Sequence, residues 1–296
     1  NHFFLDELQH KTVSSHINTT LLHDIILHME KEIKLIVCDV DGTILPSGKY
    51  EISERLREDF HKAMKKGIKV MINTGRHYTF LPQSFFKDLP MDRIGTINGA
   101  CLVDRNGNPI EKHPMSEKEM NDFIEISDKY GIGLGFKFED SVVTYANHEI
   151  FMAGYVSKDD PRRRLIIDDT QKRTHHLEHG YPLGTFLICD EDVITPVKKD
   201  FPNIVFAWSC KRGYDAFLKS VTKADSIIPV LKENNITWDN VIAFGDAGND
   251  TTMITKAGIG VAMGNSKDDV KEYADIIADT CENDGVAKVL EDLKLV

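Results

Sequence analysis

Five polar stretches have the residue types and spacing to do chemistry together. Asp39 and Asp41 stand two apart behind the apolar run 33–38, and Gly42 and Thr43 follow them. Thr74, Gly75 and Arg76 follow a second apolar run, 68–72, and Asn98, Gly99 and Ala100 follow a third, 94–97. Lys223 comes much later, and then Asp246, Asn249 and Asp250 behind the run 241–244. Several carboxylates at one spot repel one another unless a cation neutralises them. An all-oxygen set suits Mg²⁺, which favours a few carboxylates, water and a substrate phosphate. Lys223 offers a fixed positive charge, while Thr43, Thr74 and nearby turn amides offer donors for phosphate oxygens.

For these groups to meet, the apolar runs must be parallel strands, whose carboxyl ends share one edge of a sheet. Residues 35–37 form a short, β-branched apolar run, which reads as a strand buried on both faces. A strand continued through Asp39 and Asp41 would point both carboxylates to one side. Gly42 frees the backbone to turn. Ser53 reads as the cap of a helix to residue 66, ended by Gly67. A helix is expected around 78–89 and a β-hairpin over 101–112.

From about residue 115 the pattern changes. A helix over 116–130 is followed by strand-like runs at 133–138, 142–145, 183–189 and 204–207, with a helix near 192–200 before the last. Beyond Tyr214 the first pattern resumes, with Thr222 as cap of a helix carrying Lys223. The fold class is therefore α/β: a Rossmann-like parallel-sheet core of residues 33–114 and 214–296, split by an inserted α/β domain at 115–213. Residues 1–32 form a lead-in. It is either an addition upstream of Met29 or a native amphipathic helix.

Composition narrows the partners. The chain has 296 residues, 41% of them hydrophobic and 28% charged, which is ordinary for a globular protein. A net charge of −11 argues against nucleic acid and anionic membrane as partners, because both require clustered positive charge. Cys38, Cys101, Cys189, Cys210 and Cys281 are scattered and lack a C-x-x-C pair, so they read as reduced thiols. With no secretory pattern and no membrane-spanning run, a cytoplasmic location is expected.

The motifs Asp39-Val40-Asp41-Gly42-Thr43, Thr74-Gly75-Arg76, Asn98-Gly99-Ala100, Lys223 and Gly245-Asp246-Ala247-Gly248-Asn249-Asp250 stand in the order of those of haloacid dehalogenase-like hydrolases. The insert position, Met263-Gly264-Asn265-Ser266 and Asn283-Asp284-Gly285-Val286 resemble the Cof-type phosphatases (subclass IIB), which carry an α/β cap. The resemblance covers residues 33–293. Ala224 and the Ala247-Gly248 pair depart from the usual pattern without replacing a chemical group.

The resemblance implies a Mg²⁺-dependent phosphatase of small phosphorylated metabolites, sugar phosphates or phosphorylated cofactors. Asp39 would be the nucleophile and form an aspartyl-phosphate. Asp41 would protonate the leaving alcohol and then take a proton from water. Gly42, Thr43, Thr74, Gly75, Lys223 and Asn249 would bind phosphate, and Arg76 and Asn98 would face substrate. Asp39, Asp41 through its backbone carbonyl, Asp246 and Asp250 would form the metal site. A phosphomutase-type transferase and a non-catalytic binding protein are the rival readings. The oligomeric state and the physiological substrate are left open.

Other readings of the same residues are weaker. An EF-hand starting at Asp39 needs glycine sixth and glutamate twelfth, where Ile44 and Tyr50 stand. His175 and His179 are four apart, but without an evident helix or third ligand they read as polar surface of the insert. Arg162, Arg163 and Arg164 read as a solvated edge. The apolar stretch 151–155 reads as core of the insert.

Overall fold

The computed structural model describes residues 32–82, 84–87, 89 and 91–296, with 86 and 87 as backbone only. Nearly all of the expected lead-in lies outside the described residues. The first core segment contains β1 (Leu35–Cys38), α1 (Glu54–Lys65), β2 (Lys69–Asn73), α2 (Ser84–Lys87), β3 (Arg93–Thr96), β4 (Cys101–Asp104) and β5 (Pro109–Lys112). The insert follows, with α3 (Glu117–Tyr130), β6 (Gly133–Lys137), β7 (Val142–Ala146), α4 (His148–Tyr155), β8 (Ile166–Asp168), α5 (His175–His179), β9 (Gly184–Ile188), α6 (Glu191–Asp200), β10 (Ile204–Cys210) and β11 (Gly213–Leu218). The chain then returns through α7 (Ile228–Asn234), β12 (Val241–Gly245), α8 (Thr251–Lys256), β13 (Ile259–Ala262), α9 (Asp268–Lys271), β14 (Ile276–Ile277) and α10 (Gly285–Asp292).

The core sheet runs β14-β13-β12-β1-β2-β3-β4-β5, and its first six strands are parallel. β1 lies in the middle, with Leu35 opposite Lys69 on one side and Val241 on the other. Its side chains alternate between two apolar layers. Ile36 and Cys38 pack with Phe60, Phe244 and Leu290, whereas Leu35 and Val37 pack with Met71, Leu231 and Ala243. Burial on both faces is why β1 is apolar throughout rather than alternating. Ser53 caps α1 by accepting from the Leu56 amide, as its sequence position suggests.

The inserted sheet runs β10-β11-β9-β6-β7-β8 and is antiparallel except for the β7–β8 pair. β11 belongs to this sheet, so the return to the core comes after Leu218 and not at Tyr214. The β10–β11 hairpin is the reason: its second strand follows its first after a two-residue turn and pairs with β9. The helix expected around 78–89 is a single 3-10 turn at Tyr78–Phe80 and the one-turn α2, because Pro82 interrupts the segment. Phe151 and Met152 on α4 are buried in an apolar layer of the insert that also takes in Phe80 of the core segment, as expected of core. Among the described residues no helix is long and apolar enough to cross a membrane.

Candidate active site

The strand ends of the core sheet meet as the parallel arrangement requires. Asp39 follows β1, Thr74 follows β2, Asn98 lies in the 3-10 turn after β3, and Asp246 follows β12. At the centre, Lys223 Nζ donates to Asp39 Oδ1 at 2.5 Å and to Asp250 Oδ1 at 2.6 Å. Lys223 is 1% exposed and Asp39 is 6% exposed. A lone ammonium so buried would cost several kcal/mol, and the two carboxylates offset it. Lys223 lies in the turn before α7 and not on the expected helix. That turn is fixed from below, since Asn73 Nδ2 and Ser226 Oγ both donate to the Lys223 carbonyl, at 2.7 and 3.0 Å.

Asp250 is fully engaged. Its other oxygen accepts from the amides of Asp246 and Ala247, each at 3.0 Å. It therefore shapes the loop that presents Asp246. One oxygen each from Asp39, Asp246 and Asp250 lies within 4.8 Å of the others. Thr43 Oγ1 donates to Asp246 Oδ1 at 3.3 Å. A Cβ at Gly42, which has φ +80°, would fall 2.4 Å from Asp246 Oδ2, so glycine is required there.

Electrostatics follow from this crowding. Burial pushes the Asp39 carboxyl well above its ordinary range, against the pull of Lys223 and with the push of Asp250, Asp246 and Asp41. Burial and then the charge of Asp250 raise Asp246 to about 7. Burial works against the charge of Lys223, but Asp250 and Asp39 outweigh it and hold its ammonium above the usual lysine value. Three carboxylates thus face one lysine. A divalent cation with a preference for oxygen fits that donor set and its excess of negative charge.

Asp41 does not share the direction of Asp39. The strand ends at Cys38, and Val40 begins a turn in which the amides of Thr43, Ile44 and Leu45 bond back to its carbonyl. Period-two geometry therefore stops before Asp39. Asp41 is exposed and its carboxylate is held in a fork by Arg76, Nη2 to Oδ1 at 2.6 Å and Nε to Oδ2 at 2.7 Å. Its side chain stands outside the three-carboxylate cluster. Arg76 also donates to the Phe80 carbonyl at 3.1 Å.

Thr74 is buried, and its hydroxyl accepts from the Arg76 amide at 3.1 Å. Asn98 is 2% exposed in the left-handed region, φ +56°, and accepts from Asn249 Nδ2 at 2.9 Å. Gly75 packs against it, since a Cβ there would meet Asn98 Oδ1 at 2.9 Å. Gly99 lies against the backbone beside Lys223: its φ is +92°, and a Cβ would come 1.9 Å from the Thr222 carbonyl oxygen. The stretch Met263-Gly264-Asn265-Ser266 joins in through Asn265, whose Nδ2 donates to the Gly42 carbonyl at 2.9 Å.

Residues of the insert that face this edge were missed by the motif reading. Lys137, 2% exposed at the end of β6, donates to the Gly75 carbonyl at 2.9 Å and pairs with Asp215 of β11. His77 Nε2 lies 3.0 Å from the Phe138 carbonyl. Burial and then the Lys137 charge lower His77 to about 4. The neutral ring therefore donates from Nε2 and accepts the Thr79 amide at Nδ1. Arg162 is no solvated edge: it donates to the Phe80 carbonyl at 3.0 Å and pairs with Asp160, and Arg163 Nη1 donates to the Met152 carbonyl at 2.9 Å. A lysine inside an otherwise apolar strand is the one local signal that could have marked Lys137.

His175 and His179 also differ from the expectation. They lie on a helix, α5, and Asp140 stands beside both as a third polar group.

A split α/β core with convergent carboxylates and a buried lysine, covered by an inserted domain, defines a hydrolase of the haloacid dehalogenase type. The family model for haloacid dehalogenase-like hydrolases matches residues 36–290, and the chain belongs to that family. It is a phosphoric monoester hydrolase by class. It is 27% identical over 266 residues to the 5-amino-6-(5-phospho-D-ribitylamino)uracil phosphatase YcsE of Bacillus subtilis, covering 88% of this chain and 95% of that one. It is 25% identical over 269 residues to the pyridoxal phosphate phosphatase YbhA of Escherichia coli, covering 87% and 97%. In fold it is similar to the subclass IIB sugar phosphatase BT4131, with a TM-score of 0.76, 24% identity and coverage of 89% and 100%.

Proposed function

We propose that this hydrolase is a Mg²⁺-dependent phosphatase of small phosphorylated metabolites, working through an aspartyl-phosphate on Asp39. The observation that carries the reading is the contact of Asp39 with Lys223 at 2.5 Å, next to Asp246 and Asp250 at the carboxyl edge of the core sheet. Asp39 would attack phosphorus and the ester bond to the leaving alcohol would break. Asp41 would give that alcohol its proton and then accept one from the water that cleaves the aspartyl-phosphate. Lys223 would neutralise phosphoryl oxygens, with Thr43, Thr74, Asn249 and the amides near Gly42 and Gly75 as further donors. Bound Mg²⁺, held by Asp39, Asp246 and the Asp41 carbonyl with Asp250 in support, would neutralise developing charge on the phosphoryl group.

Arg76 fixes the Asp41 carboxylate and could turn a hydrogen bond toward a substrate oxygen. Substrate choice would rest with the insert, whose Lys137 and Asp215 stand over Gly75. The substrates named for YcsE and YbhA are phosphorylated ring compounds, which supports the small-metabolite class here. The test is phosphate release from a panel of sugar phosphates and phosphorylated cofactors. Release is expected with Mg²⁺, to be abolished by chelator, and to fall by about 10³-fold or more in Asp39→Asn. Transfer to a second metabolite without free phosphate would favour the mutase reading, and release that persists in Asp39→Asn would sink the mechanism.

A further inference from the structure

We propose that Asp140, His175 and His179 form a second cation site, on the insert, for a transition-metal ion of the zinc type. His175 and His179 are one helical turn apart on α5, so both rings leave the same face. The rings stack parallel within 4°, with centroids 4.0 Å apart, so one of them must turn about its Cβ–Cγ bond for both nitrogens to aim at one ion. Both address one carboxylate in the turn between β6 and β7. His175 Nε2 is 3.3 Å from Asp140 Oδ1, and His179 Nδ1 is 3.3 Å from Asp140 Oδ2. One ligand atom from each residue lies within 4.8 Å of the other two.

An edge of 3.3 Å matches a tetrahedron with bonds of about 2.0–2.1 Å, the range for zinc with imidazole and carboxylate, and Asp140 offers one such edge to each ring from a separate oxygen, so it would bind through both oxygens or swing toward one. Two imidazoles and one carboxylate favour Zn²⁺, Co²⁺ or Ni²⁺ over Mg²⁺, which prefers an all-oxygen set. The site is walled on one side and open on the other: the His175 side chain is 11% exposed, His179 34% and Asp140 41%. Water can therefore complete the coordination.

Outer contacts already hold Asp140, His175 and the start of α5. Ser141 Oγ donates to Asp140 Oδ1 at 3.0 Å and lies 3.2 Å from His175 Nε2. Asp169 Oδ2 accepts from the amides of Thr174 and His175, at 2.6 and 2.9 Å, and so pins the start of α5. His176 faces elsewhere, with Nδ1 3.1 Å from the Tyr145 hydroxyl. The His175 ring also packs edge-on against Phe138, whose carbonyl holds His77 of the core. Metal binding would fasten the turn that makes this contact between insert and core.

The full chain, stripped by chelator and kept in excess Mg²⁺, is titrated with Co²⁺ and followed by visible absorption. One equivalent is expected to bind the parent, and His175→Ala and His179→Ala are expected to bind at least about 100-fold more weakly. Asp246→Asn, altered only in the core, should bind Co²⁺ as the parent does. Zn²⁺ should raise the melting temperature of the parent and not that of His179→Ala or the bulkier His179→Gln. Circular dichroism of the metal-free variants checks their fold. Equal Co²⁺ affinity in the parent and both alanine variants, or no uptake by the folded parent, overturns the site. Loss of binding in Asp246→Asn alone assigns the ion to the core and overturns it too.

Discussion

The charged groups that the core sheet brings to the site stand beyond its strand ends, and those that the inserted sheet turns toward it lie within strands. Asp39 and Asp246 follow β1 and β12, and the lysine between them comes from a third loop. Lys137 and Asp215 belong to β6 and β11 and reach the core only because one face of the inserted sheet covers it. The Lys223–Asp250 pair of the core is sealed, with both side chains 0% exposed. That of the insert is partly wet: the Asp215 side chain is 17% exposed. The difference separates two demands. Fixed chemistry needs buried charges locked by backbone turns, whereas the surface that meets a substrate must keep access to solvent.

The sharpest break of this comparison is at Asp41. If the exposed carboxylate is the acid and base, Asp41→Asn should lower turnover by about 10²–10⁴-fold while circular dichroism stays unchanged. An effect no larger than that of a surface change would move the proton-transfer role elsewhere. Next in size is Lys223→Met, which leaves Asp39 and Asp250 buried without their cation. Chemical denaturation should show a loss of about 3–5 kcal/mol.

The contact between the two regions should respond to pH. Folded His77 resists protonation down to about 4, whereas the unfolded residue takes its proton near 6.5. The unfolded state therefore binds more protons between those values. His77's contribution is full above pH 6.5 and is lost as pH falls toward 4, by up to about 3 kcal/mol. Urea midpoints from pH 7 to 4 should fall for the parent and fall less for His77→Gln. The smallest effect is expected at Lys137→Met, about 1–3 kcal/mol by denaturation, because water can reach the Asp215 carboxylate left behind. A loss equal to that of Lys223→Met would erase the contrast between sealed and wet clusters.

The core was legible because its signals are local. Each apolar run ends abruptly in a polar residue, and parallel pairing does the rest, bringing Asp39, Thr74, Asn98 and Asp246 to one edge. The divergence of Asp39 and Asp41 was not legible, because it depends on the turn that starts at Val40 and on Arg76, 35 residues away. Contacts of the insert are also distant in sequence. Lys137 finds Asp215 across 78 residues, and His175 of α5 finds Asp140 across 35, with β7, α4 and β8 between them. The end of the insert was misplaced for a similar reason: β11 reads like the start of the next core segment until its pairing with β9 is seen.

The central place of β1 has a consequence for the order in which the protein forms during synthesis. Leu35 finds its first neighbour at Lys69 but its second only at Val241. At about 5–20 residues per second, the roughly 170 residues between them take about 9–34 s to emerge. Through that interval the strand leading to Asp39 has one open edge, and before it ends, at Leu218, the insert has every strand it needs to close its own sheet. The nascent chain thus completes its covering domain before the domain it covers, and the exposed edge of β1 is the stretch that a chaperone would guard.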